Sequence, residues 1–426
     1  MQTLYHNCRL IDGTGAPAVE QGYLLVEDGM IRSVGAIQDA PDPSTVSQCV
    51  DLKGRTVLPG LFNCHVHMAL RFPFSSYCVD EYKTPAYRAM VIYRRAMEAL
   101  WCGVTTVRAV GEADDADLAV RDAIEKNMVM GSRIVSAGSI LIAHGGHGAG
   151  GWGSVECSGP DEFRKAARLE LFKGVDLLKV CITGGMVGEH EGAADVQMTE
   201  EEILAVTQSA HNAGKKVAAH LGHDTAILTA IRCGIDTVEH AYICSPDTAE
   251  EMAKAGTWLV PTLAVTNACD YLEKHHNPAY HIEKIRAIGQ QHKKSIANCI
   301  RAGVPIGVGT DLLASDPLDG TNATVREVEL LTEAGMDNLS ALAAATGNSA
   351  RLCGIEEKTG TLRPGLEADF IAVDGCPDQC IQDLRNLEFV CKGGSVVRCQ
   401  IPGVSLPGFA PLPFGMAPEG ASFIDW

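Results

Sequence analysis

The chain has 426 residues, room for a barrel of about 250 residues and a smaller module beside it. Its formal net charge of −18 argues against nucleic acid or an anionic membrane as partner, since both reward basic surfaces. The start Met1-Gln-Thr-Leu-Tyr-His6 has no basic stretch leading into a long apolar one, so neither a secretory signal nor a transmembrane helix is expected, and the cytoplasm is the expected location. Residues 1–56 read as short strands, with Glu27-Asp-Gly29 between apolar runs as a hairpin signal. Next comes Leu61-Phe-Asn-Cys-His65-Val-His67, a strand whose alternation puts His65 and His67 on one face and turns Cys64 away from it. A helix from Tyr87 to Leu100 stops near Gly103 and leads into Thr105-Thr-Val-Arg-Ala-Val110 and then Arg133-Ile-Val-Ser-Ala-Gly138.

The loop Ala143-His144-Gly-Gly-His147-Gly-Ala-Gly-Gly-Trp-Gly153 follows the third strand. So much glycine permits positive backbone angles and close approach to a small molecule, at an entropic cost that a purely structural loop rarely bears. Asp176-Leu-Leu-Lys179-Val180 supplies a fourth strand, followed by a second glycine-rich loop, Thr183 to Glu191, in which Glu189 and Glu191 read as solvated acids or selectors of a cationic group. Thr199 and Glu202 open a helix with a capping-box pattern, and Gly214 ends it before Lys216-Val-Ala-Ala-His220. Thr237-Val-Glu-His240 is the sixth strand, and Tyr242 lies on the ligand face if that strand continues. Val260-Pro-Thr-Leu-Ala264 supplies the seventh and Gly303-Val-Pro-Ile-Gly-Val-Gly-Thr-Asp311 the eighth. Strand-like sequence returns after residue 360. The predicted fold class is therefore α/β: a (β/α)8 TIM barrel over residues 57–360, with a small discontinuous β-sandwich domain from residues 1–56 and 361–426.

Each candidate residue has an ordinary reading when taken alone. His-x-His recurs by chance, Lys179 reads as a snorkelling surface lysine, His220 as a core histidine and Asp311 as a turn cap. Their coincidence at the ends of successive strand-like runs points to one metal site on the barrel rim where loops converge. Imidazole and carboxylate suit zinc and similar divalent ions, whereas an ammonium is no ligand. Burial drives a lysine toward the neutral amine, which takes up carbon dioxide to give a carbamate whose two oxygens bridge two cations.

On these residues the chain resembles the binuclear members of the amidohydrolase superfamily, in particular the group of Xaa-Pro dipeptidases, Xaa-Arg carboxypeptidases and imidazolonepropionase-related enzymes. The pattern of that superfamily is His-x-His on the first strand, carboxylated lysine on the fourth, histidines on the fifth and sixth, and aspartate on the eighth. His65, His67, Lys179, His220, His240 and Asp311 match it in order. The resemblance implies two divalent metal ions, expected as zinc, bridged by N-carboxylysine at Lys179. It implies Asp311 as the base toward a metal-bridging hydroxide, and His147 and Tyr242 as substrate contacts that polarise a carbonyl. His144, beside His147, is a further substrate-binding candidate without an assigned role. The expected reaction is hydrolysis of a peptide-type C–N bond in a dipeptide or N-acyl amino acid by a homo-oligomer. A cyclic amidase or deaminase is one alternative, which Lys179 argues against, and a catalytically inactive barrel scaffold is another.

Sixteen cysteines are scattered without a Cys-x-x-Cys pair, which fits small buried hydrophobes in reduced form, and Cys376 with Cys380 lacks two further zinc ligands. The tail from Pro402 to Trp426 holds five prolines and four glycines among Phe409, Phe414, Phe423 and Trp426. That composition disfavours helix, while four aromatics are unusual in a solvated tail, so an arm packed on its own or a neighbouring subunit is expected. Deleting the residues after Pro402 should lower the melting temperature or shift sedimentation to smaller species; unchanged stability and mass would make the arm dispensable.

Overall fold

The computed structural model describes residues 2–69, 84–151, 153–404 and 406. The chain starts with β1 (Gln2–Leu10), β2 (Val19–Glu27), β3 (Met30–Ala36), β4 (Gln48–Asp51) and β5 (Thr56–Pro59). Asp28 at φ 48° and Gly29 at φ 85° make the β2–β3 turn, the left-handed pair whose twist suits a two-residue hairpin.

The parallel strands of the barrel follow. β6 (Leu61–Val66), β7 (Val104–Ala109) and β8 (Arg133–Ser136) pair in sequence. β9 (Ile140–Ala143) resumes the line after residues 137–139 and has β10 (Ser154–Cys157) at one side. On its other side lie β11 (Leu177–Cys181), β12 (Lys216–Leu221), β13 (Thr237–His240) and β14 (Trp258–Val260). Helices alternate with the strands. The one expected after Thr199 forms at Glu200–Asn212, with the Thr199 hydroxyl and the Glu202 carboxylate each accepting a backbone N–H of the other residue.

Two expected strands differ from the sequence reading. The seventh ends at Val260, because Thr262 adopts φ 56° and Leu263–Thr266 turns helical. The buried Glu327 carboxylate accepts the otherwise orphaned N–H groups of Leu263 (2.9 Å) and Ala264 (2.5 Å). The eighth segment makes only an isolated bridge, Leu259 with Ile306. Pro305 has no N–H to give a ladder, and Gly309 passes so close to β6 that a Cβ there would fall 2.7 Å from the His65 nitrogen. The ring is closed by single bonds instead: Leu259 N–H to the Pro305 carbonyl at 2.9 Å, Cys64 N–H to Val308 at 2.6 Å and Asp311 N–H to His65 at 2.9 Å.

After a two-residue ladder of β15 (Pro317–Leu318) and β16 (Thr321–Asn322), the chain returns to its start. β17 (Phe370–Val373), β18 (Leu387–Lys392) and β19 (Ser395–Cys399) complete an eight-stranded mixed sheet in the order β19-β18-β17-β5-β1-β2-β3, with β4 beside β1. Ile31 of β3 and Phe389 of β18, near opposite ends of that order, share one core with Tyr5 and Phe370, so the sheet folds over on itself. The arm expected after Pro402 lies outside the described residues from 407 onward. The fifteen described cysteines are free, and no described helix is long and apolar enough to cross a membrane.

Arg133 of β8 ties the barrel to this sheet. Its guanidinium donates to Asp369 at 2.9 Å and to Glu367, and the Asp369 side chain is fully buried. Burial would raise the Asp369 carboxyl, but Arg133 and Lys392 hold it below the usual carboxylate range. Arg133→Met strands that charge and should cost about 3–5 kcal/mol. A depressed carboxyl adds stability above its unfolded pKa, and that contribution is lost as pH falls through the folded one. The gap in melting temperature between wild type and variant should therefore be full near neutral pH and shrink below about pH 4.

Candidate metal centre and active site

The C-terminal ends of the barrel strands converge on a cavity of about 670 Å³ that His65, His67, Lys179, His220, His240 and Asp311 all line, together with His147 and Tyr242. Three of the donors, on His65, His240 and Asp311, lie within 4.8 Å of one another. The Nε2 atoms of His65 and His67 stand 3.4 and 3.5 Å from the same Asp311 oxygen.

Backbone irregularity delivers these side chains. Asn63 pairs with Val107 and Val66 with Ala109, so β6 carries one residue more than β7 across that stretch, a bulge that takes in Cys64 and His65. Simple alternation therefore does not place Cys64: its sulfur lies 3.8 Å from that of Cys353, among Phe62, Val260 and Leu352. In β13 the neighbours Glu239 and His240 ought to face opposite ways. Both reach the site because His240 adopts φ 72° and Ala241 φ 57°, which ends the strand and swings the ring inward. Asp311 sits at φ 55°. Strained residues gathered on one rim mark a place where the surrounding structure over-determines the backbone.

Each imidazole is oriented by a second partner. His65 Nδ1 donates to Glu239 at 2.6 Å, His67 Nδ1 to the Gly111 carbonyl at 3.1 Å and His220 Nε2 to the Gly184 carbonyl at 3.1 Å. His240 Nδ1 meets the Thr262 hydroxyl at 2.7 Å, and its own carbonyl accepts from His292 Nε2 at 2.9 Å. The Nε2 atoms of His65 and His67 face the Asp311 carboxylate, a grouping of donor atoms that suits a divalent cation. Burial holds His220 and His240 well below the ordinary imidazole value, and the neighbouring rings reinforce this, so both are neutral, the form that metal ligation requires. Lys179 is 2 % exposed, and burial lowers its ammonium pKa against the pull of Glu239 and Asp311. The donor set thus fits the metal that the sequence pattern implies.

The structure does not gather every candidate. His147 reaches the cavity, its ring centroid 4.3 Å from that of His220, and Tyr242 stacks on His240 at 5.0 Å although the strand has already ended. His144 is 76 % exposed, turns toward Glu156 and does not line the cavity. Three groups escaped the sequence reading. Glu239 is fully buried beneath His65 and also accepts from Arg108 at 2.7 Å. Burial alone would raise its carboxyl, yet Arg108 and His65 bring it down to about 2. Glu191, taken as solvated or selective for cations, instead accepts from His147 Nδ1 at 2.7 Å. The signal for Glu239 and Arg108 was a charged residue inside an otherwise apolar strand, the same signal that singled out Lys179.

Comparison with known proteins agrees with this geometry. The model of the family described as "Amidohydrolase family" matches residues 56–406. An ochratoxinase of Aspergillus niger is 27% identical over 430 residues, covering 93% of this chain and 86% of that protein. An imidazolonepropionase of Rhizorhabdus wittichii is 25% identical, covering 87% of this chain and 93% of its own. Among solved structures, a Xaa-Pro dipeptidase with bound methionine in the active site superposes with a TM-score of 0.84 at 28% identity, covering 93% of this chain and all of that one.

Proposed function

Since the chain belongs to the amidohydrolase family and is an enzyme of that family, we propose that it hydrolyses the peptide-type C–N bond of a dipeptide or N-acyl amino acid. The observation that carries this reading is the convergence of His65, His67, Lys179, His220, His240 and Asp311 on one cavity floor, with Tyr242 and His147 beside them. In this reading His65, His67 and Asp311 would hold one divalent ion and His220 and His240 a second, and Lys179, as a carbamate, would contribute to both sites. Two such ions, expected as zinc, supply Lewis acidity and lower the pKa of water.

The protein's own groups do the rest. Asp311 accepts the proton of the attacking water and returns it to the departing amine. Burial, aided by Asp311 and Glu191, raises the Tyr242 hydroxyl well above its ordinary pKa, so it stays a protonated donor toward a developing oxyanion. His147 stands on the other side of the His220 ring as the second polar contact for substrate. Met186, Val187, Val265 and Ile285 give the cavity an apolar wall, which excludes water from the reacting bond and suits an apolar side chain or acyl group. The full reading is a cytoplasmic homo-oligomer acting on small molecules.

Metal analysis followed by a screen of Xaa-Pro, Xaa-Arg and Xaa-Lys dipeptides and N-acetyl amino acids tests it. About two metal equivalents and release of a free amino acid are the expected results. Ring opening of a cyclic amide with no cleavage of the linear compounds would favour the alternative chemistry, and a metal-loaded but inert protein would favour a scaffold.

A further inference from the structure

Met186 to Glu191 of the 184–191 loop line the cavity, and one turn of the helix Ala279–Ala302 holds the loop's backbone. Lys284 Nζ donates to the carbonyls of Gly188, Glu189 (3.2 Å) and Glu191 (2.6 Å), and the Tyr280 hydroxyl donates to Val187 at 3.0 Å. An ammonium has three donors, and here all three meet carbonyls of one short segment. The segment in turn touches two rings of the site. Gly184 accepts from His220 Nε2, and Gly185 lies so near His147 that a Cβ would fall 2.4 Å from its Cε1. Glu191 Oε1 accepts from both the Gly188 N–H (2.8 Å) and His147 Nδ1 (2.7 Å).

We infer that Lys284 is a positioning residue. It fixes the fold of the 184–191 loop so that the Glu191 carboxylate holds His147 over the cavity. Without the ammonium three carbonyls lose their donor, the Tyr280 bond to Val187 is left as the loop's remaining tie to that helix turn, and His147 loses its orientation. The kinetic part of this inference rests on the function proposed above, whereas the effect on the loop does not.

The test uses the metal-loaded full chain as wild type, Lys284→Met, Lys284→Arg, His147→Ala and the double variant Lys284→Met/His147→Ala. Without any substrate, amide hydrogen exchange over residues 184–192 should quicken about 10-fold or more in Lys284→Met, while the interior of the helix keeps its protection. On the dipeptide or N-acetyl amino acid that the wild type cleaves fastest, kcat/KM should fall about 10²-fold, as expected for a misplaced contact group, and Lys284→Arg should recover part of it. In the His147→Ala background the same lysine change should alter kcat/KM by less than about 2-fold, because the two residues act as one unit. Unchanged exchange in the loop overturns the inference, and so does a full multiplicative loss in the double variant. If the wild type cleaves nothing in the panel, the proposed function fails, and exchange alone decides whether Lys284 holds the loop.

Discussion

Alanine at position 179 is expected to cut turnover by about three orders of magnitude or more and to leave one divalent ion where two are expected in the wild type. Lys179 sits in the middle of the fourth barrel strand and shares the cavity with His220, His240 and Asp311, and it alone among the described cavity donors is positively charged in its ordinary state. Burial against that charge favours the neutral amine, the form that the proposed uptake of carbon dioxide requires. Alanine removes the bridging oxygens altogether, while Lys179→Glu restores a carboxylate on a shorter stem and should keep more metal than alanine at low activity. Elemental analysis and rates on the same preparations decide the matter. Wild-type metal content together with wild-type rate in the alanine variant would sink the carbamate assignment.

Asp311→Asn is expected to lower turnover by about 10³-fold, near the upper part of what a lost general base costs, with an unchanged circular dichroism spectrum. The amide keeps the shape of the carboxylate at the turn where Asp311 N–H bonds His65, so the fold has no reason to move. It cannot take a proton, and its oxygen is a weaker metal ligand and a weaker acceptor than the carboxylate that the two imidazole nitrogens face at 3.4 and 3.5 Å. A large loss with both ions retained supports the base role. Near-normal turnover with both ions bound rules it out.

Much of the site was legible because strand ends carry spacing information: His65 and His67 two apart, then Lys179, His220 and His240 each at the close of an apolar run. What escaped is what alternation cannot express. A bulge in β6 and left-handed angles at His240, Ala241, Thr262 and Asp311 set which way side chains point at the rim, and no periodicity encodes a single residue out of register. The seventh strand was read too long because Val260-Pro-Thr-Leu-Ala264 has strand-like composition, whereas Glu327, some distance along the sequence, provides the acceptor that lets Leu263 begin a helix. In the glycine-rich stretch the family resemblance assigned a role to His147 and none to its neighbour His144, and composition alone does not separate the two. Only the long-range carboxylate of Glu191 turns one of them inward, and that contact spans 44 residues.

The mixed sheet built from both chain ends sets a schedule for synthesis. The Thr56 hydroxyl donates to the carbonyl of Gly375, 319 residues later, and β5 finds its antiparallel partner only in β17. At the usual pace of translation the ribosome needs roughly 15–65 s to make that stretch, during which the whole barrel can emerge and close. Through that interval β5, every residue of which is buried in the finished protein, offers an open apolar edge to any neighbour. The nascent chain thus carries an open apolar edge from the time β5 is made, and only the arrival of Phe370–Val373 retires it.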